Sequence, residues 1–223
     1  MRTAGAEVVP FHRPPDRVRV VTAASLFDGH DAAINIMRRI LQAQGAEVIH
    51  LGHDRSVDEI VDAAVQEDAH ATAVSSYQGG HMEFFQYLVD RLRQKGCGHV
   101  RVYGGGGGTI LPEEIAELHA YGVARIFSPE DGRQLGLEGM IRTIIDECDR
   151  RTIERLGNEV ETLSPENPVA IARLISWIES LQDHDTAGLD VLRKRLDVMA
   201  GEARSPVVGL TGTGGAGKSS VVD

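Results

Sequence analysis

The chain has 223 residues, enough for one large or two small domains, and its 42% hydrophobic and 25% charged residues are ordinary for a globular protein. A formal net charge of −10 with no offsetting basic stripe argues against a nucleic-acid or anionic-membrane surface, so neither nucleic acid nor membrane is expected as a partner. No apolar run approaches the ~20 residues that span a bilayer. The first sixteen residues hold three prolines and lack the apolar core of a secretion signal. Cys97 and Cys148 are too few for a disulfide framework, so a reducing cytoplasm is the expected compartment.

Residues 1–17 read as a disordered lead-in. Short β-rich runs then alternate with helical ones. Strands are predicted at Val18–Ala24, Glu47–Gly52, Ala71–Ser76, His99–Tyr103 and Ala124–Phe127. Ile36, Met37, Ile40 and Leu41 recur at helical spacing after the first strand, with Gly45 placed to end that helix. Ile60, Ala63 and Ala64 mark a second helix behind a Ser56 N-cap. Phe84, Phe85, Leu88 and Leu92 mark a third, ended by Gly96. Ile115 and Leu118 predict a short fourth helix, and Met140, Ile141, Ile144 and Ile145 a fifth. Five strand-then-helix units predict an α/β, doubly wound (flavodoxin-like or Rossmann-like) parallel five-stranded sheet over residues 18–150.

From Arg151 the pattern changes to a helical linker, residues 151–205. Ile171, Leu174, Ile175, Ile178 and Leu181 stripe one helix and Leu189, Leu192, Leu196 and Met199 another, with Thr186 and Gly188 between them. Trp177 reads as packing. Residues 206–223 then read as the start of a P-loop domain. Val207–Thr211 is a short strand, and Gly212–Ser219 is a full G-x-x-x-x-G-K-[ST] phosphate loop. Gly214, Gly215, Ala216, Gly217, Lys218, Ser219 and Ser220 are expected to bind nucleotide phosphates, with Ser219 holding Mg²⁺. The sequence stops one helical turn later, at Asp223, so the expectation is a piece of something longer.

In a doubly wound sheet ligands bind beyond the carboxyl ends of the strands. The unusual residues all fall there: Ser25–Asp31 after the first strand, Ser75–His81 after the third, Gly104–Thr109 after the fourth and Ser128–Gly132 after the fifth. Asp28-Gly29-His30 has a chemical sense, because a metal-ligating histidine commonly donates its second ring N–H to a carboxylate. One such histidine suits a metal already held by a macrocycle better than a protein cage of three or four ligands. His81, at a helix start beside two glycines, is a lesser candidate for the pocket. His12, His50, His53, His70, His99, His119 and His184 read as surface or capping residues.

On these residues the chain resembles the cobalamin-binding domain of the acyl-CoA mutases and methionine synthase, whose pattern is D-x-H-x-x-G, then S-x-L, then G-G. Asp28-Gly29-His30-Asp31-Ala32-Ala33, Ser75-Ser76-Tyr77 and Gly107-Gly108 match it, with Ala33 in place of the glycine and Tyr77 in place of the leucine. The resemblance implies adenosylcobalamin as cofactor, His30 as axial ligand to cobalt, and Asp28, Gly29, Ser75, Tyr77, Gly107 and Gly108 around the cofactor. The order of parts, with a cobalamin domain, a helical linker and a phosphate loop, is similar to the fused isobutyryl-CoA mutase family. That likeness implies a radical isomerase interconverting isobutyryl-CoA and n-butyryl-CoA, with a GTPase chaperone, GTP and Mg²⁺. It further implies a substrate barrel outside this sequence and a homodimeric parent. No catalytic residue is expected in this stretch itself. The alternatives are a stand-alone corrinoid carrier or cobalamin sensor, and a flavodoxin-like or response-regulator domain without a corrin.

Overall fold

A computed structural model describes residues 17–201 together with Gly209 and Thr211. The lead-in before Arg17 and the phosphate loop at Gly212–Ser219 lie outside the described residues. The chain divides into two units between Ser180 and Leu181.

The first unit is the expected sheet. Strands β1 (Arg19–Ser25), β2 (Glu47–Arg55), β3 (Ala71–Ser75), β4 (Arg101–Gly105) and β5 (Arg125–Phe127) lie in the order β2-β1-β3-β4-β5. Every neighbouring pair is parallel. The middle strands β1 and β3 are buried on both faces, which is why they read as nearly continuous runs of apolar and small residues rather than alternating ones. Five helices cover the two faces: α1 (Asp31–Ala43), α2 (Val57–Gln66), α3 (His81–Gln94), α4 (Pro112–Tyr121) and α5 (Pro129–Cys148). Alternate strand residues sort between two cores. Val20, Ala73 and Tyr103 join Leu41 of α1 and Ile141, Ile144 and Ile145 of α5. Val21, Val74 and Val102 join Ile60 of α2, Phe85 and Leu88 of α3 and Leu118 of α4. The chain leaves β1 in one direction and β3 in the other, so the topological switch point falls between them.

The local stop and start signals act as expected. Ser56 caps α2 through a reciprocal capping box with Glu59. Gly45 and Gly96 follow the ends of α1 and α3 with φ of 93° and 75°.

Three expectations need correction. Strand β4 begins at Arg101 rather than His99 and runs on through Gly104 and Gly105, so the first two glycines of the run are strand; Gly107–Thr109 then form one 3₁₀ turn. No loop follows β5. The Ser128 hydroxyl accepts the Asp131 N–H and the Asp131 carboxylate accepts the Ser128 N–H, so α5 starts at Pro129. The linker is helical only from Pro168. Residues 151–167 are turns that bury Ile153 and Val160, and α6 (Pro168–His184) begins where the Asn167 side chain accepts the Ala170 N–H.

The second unit holds the end of α6 and α7 (Thr186–Gly201). Only Asp185 separates these helices; Thr186 and Gly188 belong to the first turn of α7, where Asp185 Oδ1 accepts the Gly188 N–H at 2.9 Å. Among the described residues no helix is long and apolar enough to cross a membrane.

Candidate functional site

The site grows from the turn after β1. The Asp28 N–H donates to the Ser25 carbonyl at 3.0 Å, folding the carboxylate inward, where it is 2% exposed. Its Oδ1 accepts the His30 backbone N–H and the His30 Nδ1–H, both at 2.9 Å. Its Oδ2 reaches across the switch point and accepts the Tyr77 N–H at 2.7 Å. One buried carboxylate therefore fixes the loops after β1 and β3 together. A second tie, from the Ser25 hydroxyl to the Ser76 hydroxyl at 2.9 Å, lies beneath it.

This arrangement decides the chemistry of His30. The carboxylate can only accept, so Nδ1 is the donor toward Asp28; in the neutral ring that tautomer leaves the lone pair on Nε2, on a side chain that is 75% exposed. Among the described residues no group of three or more His, Cys, Asp or Glu is arranged to hold a metal ion. His30 is thus a single nitrogen donor on an open rim. The Tyr77 ring stands next to it, centroid to centroid 5.4 Å.

Beside this pair a cavity of about 340 Å³ runs down between α1 and α5 over the ends of β3 and β4. Ile34 and Met37 of α1 and Met140 and Ile141 of α5 give it apolar walls. Ser75 lines it too, and the Ser75 Oγ is buried without a hydrogen-bond partner. A buried hydroxyl in that state marks a place where a polar atom is wanted.

The glycines differ in purpose. A side chain at Gly104 would point away from the cavity into Phe85, and its Cβ would stand 2.7 Å from Ile126. One at Gly106 would collide with the Ser76 carbonyl. Both are bare because the protein packs against them. Gly105 lies on the cavity side of β4, two residues after Tyr103, and an added Cβ there would meet only the Phe127 carbonyl at an ordinary 3.5 Å. Its bareness keeps the cavity open. Gly107 also lines the cavity, close under the Tyr77 ring.

The structure thus brings together Asp28, His30, Ser75, Tyr77 and Gly107. Gly108 has open space around it and does not line the cavity, and a Cβ added at Gly29 would likewise meet nothing. His81 is turned the other way, buried between the Gln78 carbonyl and Glu114 Oε2. Sequence reasoning missed Gly105, the walls supplied by α1 and α5, and Phe27. That residue is 84% exposed at φ 65°, held by its N–H to Asp54 Oδ1 at 2.7 Å.

Known proteins share this frame. The B12 binding domain model matches residues 18–133. Fused isobutyryl-CoA mutase of Geobacillus kaustophilus is 59% identical over 96% of this chain, and that of Cupriavidus metallidurans 54% identical over 100%. This chain spans about a fifth of the length of each, the match covering 20% of both. The 2-hydroxyisobutanoyl-CoA mutase small subunit of Aquincola tertiaricarbonis is 30% identical over 57% of this chain and 92% of its own length. A solved cobalamin-binding protein from Desulfitobacterium hafniense, 23% identical over 59% of both chains, has the same fold at a TM-score of 0.50. With a switch-point histidine oriented by its carboxylate, a cavity beside it and a family match across the sheet, the chain belongs to the B12 binding domain family.

Proposed function

We propose that this chain is the cobalamin-carrying part of an adenosylcobalamin-dependent acyl-CoA mutase that interconverts isobutyryl-CoA and n-butyryl-CoA. The observation that carries the reading is the pairing of a free, oriented His30 Nε2 with an adjoining apolar cavity that contains one unpartnered hydroxyl. A corrinoid fits that pair. Its metal would take one nitrogen from His30, and of the nucleotide tail the flat, apolar benzimidazole would suit the apolar walls while the ribose and phosphate bring polar atoms. His30 would hold the cobalt, and Asp28 would keep the imidazole in its donor tautomer. The buried Ser75 Oγ would meet a polar atom of the tail, while Gly105 and Gly107 leave it room. Bound, the cofactor supplies radical chemistry through its cobalt–carbon bond.

The choice of acyl-CoA follows the resemblance to the fused mutases and would reside in a separate substrate-binding part. The motif Gly212–Ser219 supports binding of nucleotide phosphates and Mg²⁺, with Lys218 at the phosphates and Ser219 at the metal; GTP as the nucleotide and its coupling to cofactor loading follow the resemblance to the fused mutases.

Titration with cobalamin, followed by absorption, tests the reading. The unaltered chain is expected to bind with the spectral change that marks exchange of the benzimidazole for histidine, and His30→Ala is expected to lose that change. An unaltered spectrum and affinity in His30→Ala would overturn it.

A further inference from the structure

We infer that Tyr77 is a door: its ring closes the cavity mouth by resting on His30 and turns aside to admit the nucleotide tail. The inference builds on the cobalamin reading above. Three observations carry it. The ring lines the cavity yet is 37% exposed, so one side faces the interior and the other the solvent. Its neighbours on the rim are the His30 ring, with centroids 5.4 Å apart and planes tilted by 43°, and the bare backbone of Gly107, where even a Cβ would come within 3.0 Å of the ring. Its own backbone is fixed, because the Tyr77 N–H is held by Asp28 Oδ2 at 2.7 Å. The main chain stays in place while the side chain is free to rotate about its first two torsions, a fast motion for a rim residue.

A metal arriving over His30 brings its tail to the same stretch of rim, where the Tyr77 ring stands at the cavity that Ser75 also lines. His30 itself is 75% exposed and stays reachable with the ring closed. Opening the door therefore frees the slot and leaves access to the ligand as it was. A leucine or alanine at this position would leave the mouth open.

The test compares two corrinoids on the full 223-residue chain by stopped-flow absorption: cobalamin, and cobinamide, which lacks the nucleotide tail. Tyr77→Leu is expected to raise the cobalamin association rate by about three- to tenfold, the range that follows from losing one aromatic contact. Cobinamide association should stay within about twofold, since rates that differ by that little reflect barriers differing by well under one contact. Tyr77→Phe keeps the ring and should behave as the unaltered chain with both. Equal acceleration of both corrinoids would overturn the door, because Tyr77 would then act on His30 alone. Unchanged rates, or slower cobalamin entry in Tyr77→Leu, would also overturn it, the latter making the ring a wall. Failure of the unaltered chain to bind either corrinoid would instead remove the cobalamin reading, and the door with it.

Discussion

The Asp28 carboxylate accepts three N–H groups from two loops while almost fully buried. An amide in its place offers one acceptor oxygen and turns an N–H₂ toward donors that need an acceptor. Asp28→Asn is therefore expected to lower cobalamin affinity about 10- to 100-fold, the usual scale for losing the group behind a metal ligand, as read by absorption titration. The cavity makes a separate demand. Gly105→Leu should fill the space above β4 without a collision at Cβ, where the nearest atom is 3.5 Å away. Full cobalamin should then bind at least roughly tenfold more weakly, since its tail would lose the apolar burial the slot provides, while cobinamide binding holds. Equal loss for both corrinoids would mean that the leucine disturbs the rim and not the slot. The Asp28–His30 pair was legible in the sequence because its spacing is local. Gly105 was not, because residues 104–108 are one undifferentiated run until the strand register assigns each glycine a face.

The elements were legible wherever the signal is local. Ser56 with Glu59, and the glycines after α1 and α3, announce helix ends by chemistry that acts within one turn. Misreadings came from partners far along the chain. His70 looked like a surface residue, yet it is 6% exposed, and its Nδ1 accepts the Arg19 N–H from the neighbouring strand at 3.0 Å. His119, by contrast, is exposed as expected, and it accepts the Ile126 N–H through Nε2 at 2.9 Å, tying α4 to β5. Burial, aided by the positive charge of Arg19, pushes the His70 pKa from 6.5 down to about 4. Below pH 6.5 the unfolded chain takes up a proton that the folded chain refuses until about pH 4. Stability should thus fall as pH drops through that window, by at most ~3 kcal/mol, and level off below it for this group. His70→Gln keeps an acceptor for Arg19 but cannot titrate. Urea unfolding at several pH values should show its slope between pH 4 and 6.5 clearly flattened; an unchanged slope would assign the dependence to other groups.

Within the first unit the two ends of the sheet have opposite tasks. The carboxyl ends carry the open cavity, whereas the amino ends are sealed by the segment after α5 and by α6. The Thr152 hydroxyl donates to Asp68 there, Arg150 reaches the His99 carbonyl at 2.9 Å, and Arg19 meets the Ser176 hydroxyl at 3.0 Å. Burial alone would raise the Asp68 pKa, but nearby His99 and the Thr152 hydrogen bond outweigh it and hold the group at about 2. Thr152→Val should cost about 1–3 kcal/mol by leaving a buried carboxylate short of a donor. It should also move acid unfolding toward higher pH, because Asp68 stabilises the fold only while ionised and loses that contribution as pH falls through its folded pKa. Cobalamin affinity should stay within about twofold, since distant sites act additively. A large loss of affinity would show that the ends communicate. None of this seal was legible in the sequence, because residues 151–167 have no period to read.

Gly136 gives the open end a different character. At φ 65° and ψ 175° it breaks α5 in a conformation that suits glycine alone, and cavity residues lie on both sides of the break. Pro129–Leu135 is thus not fastened to Leu137–Cys148 by a continuous ladder. The outer piece depends on the Ser128–Asp131 cap, while the inner one is bolted to the sheet by Ile141, Ile144 and Ile145. One wall of the slot is therefore a hinged panel on a rigid post, able to breathe outward at a small fraction of the free energy that unfolds the domain.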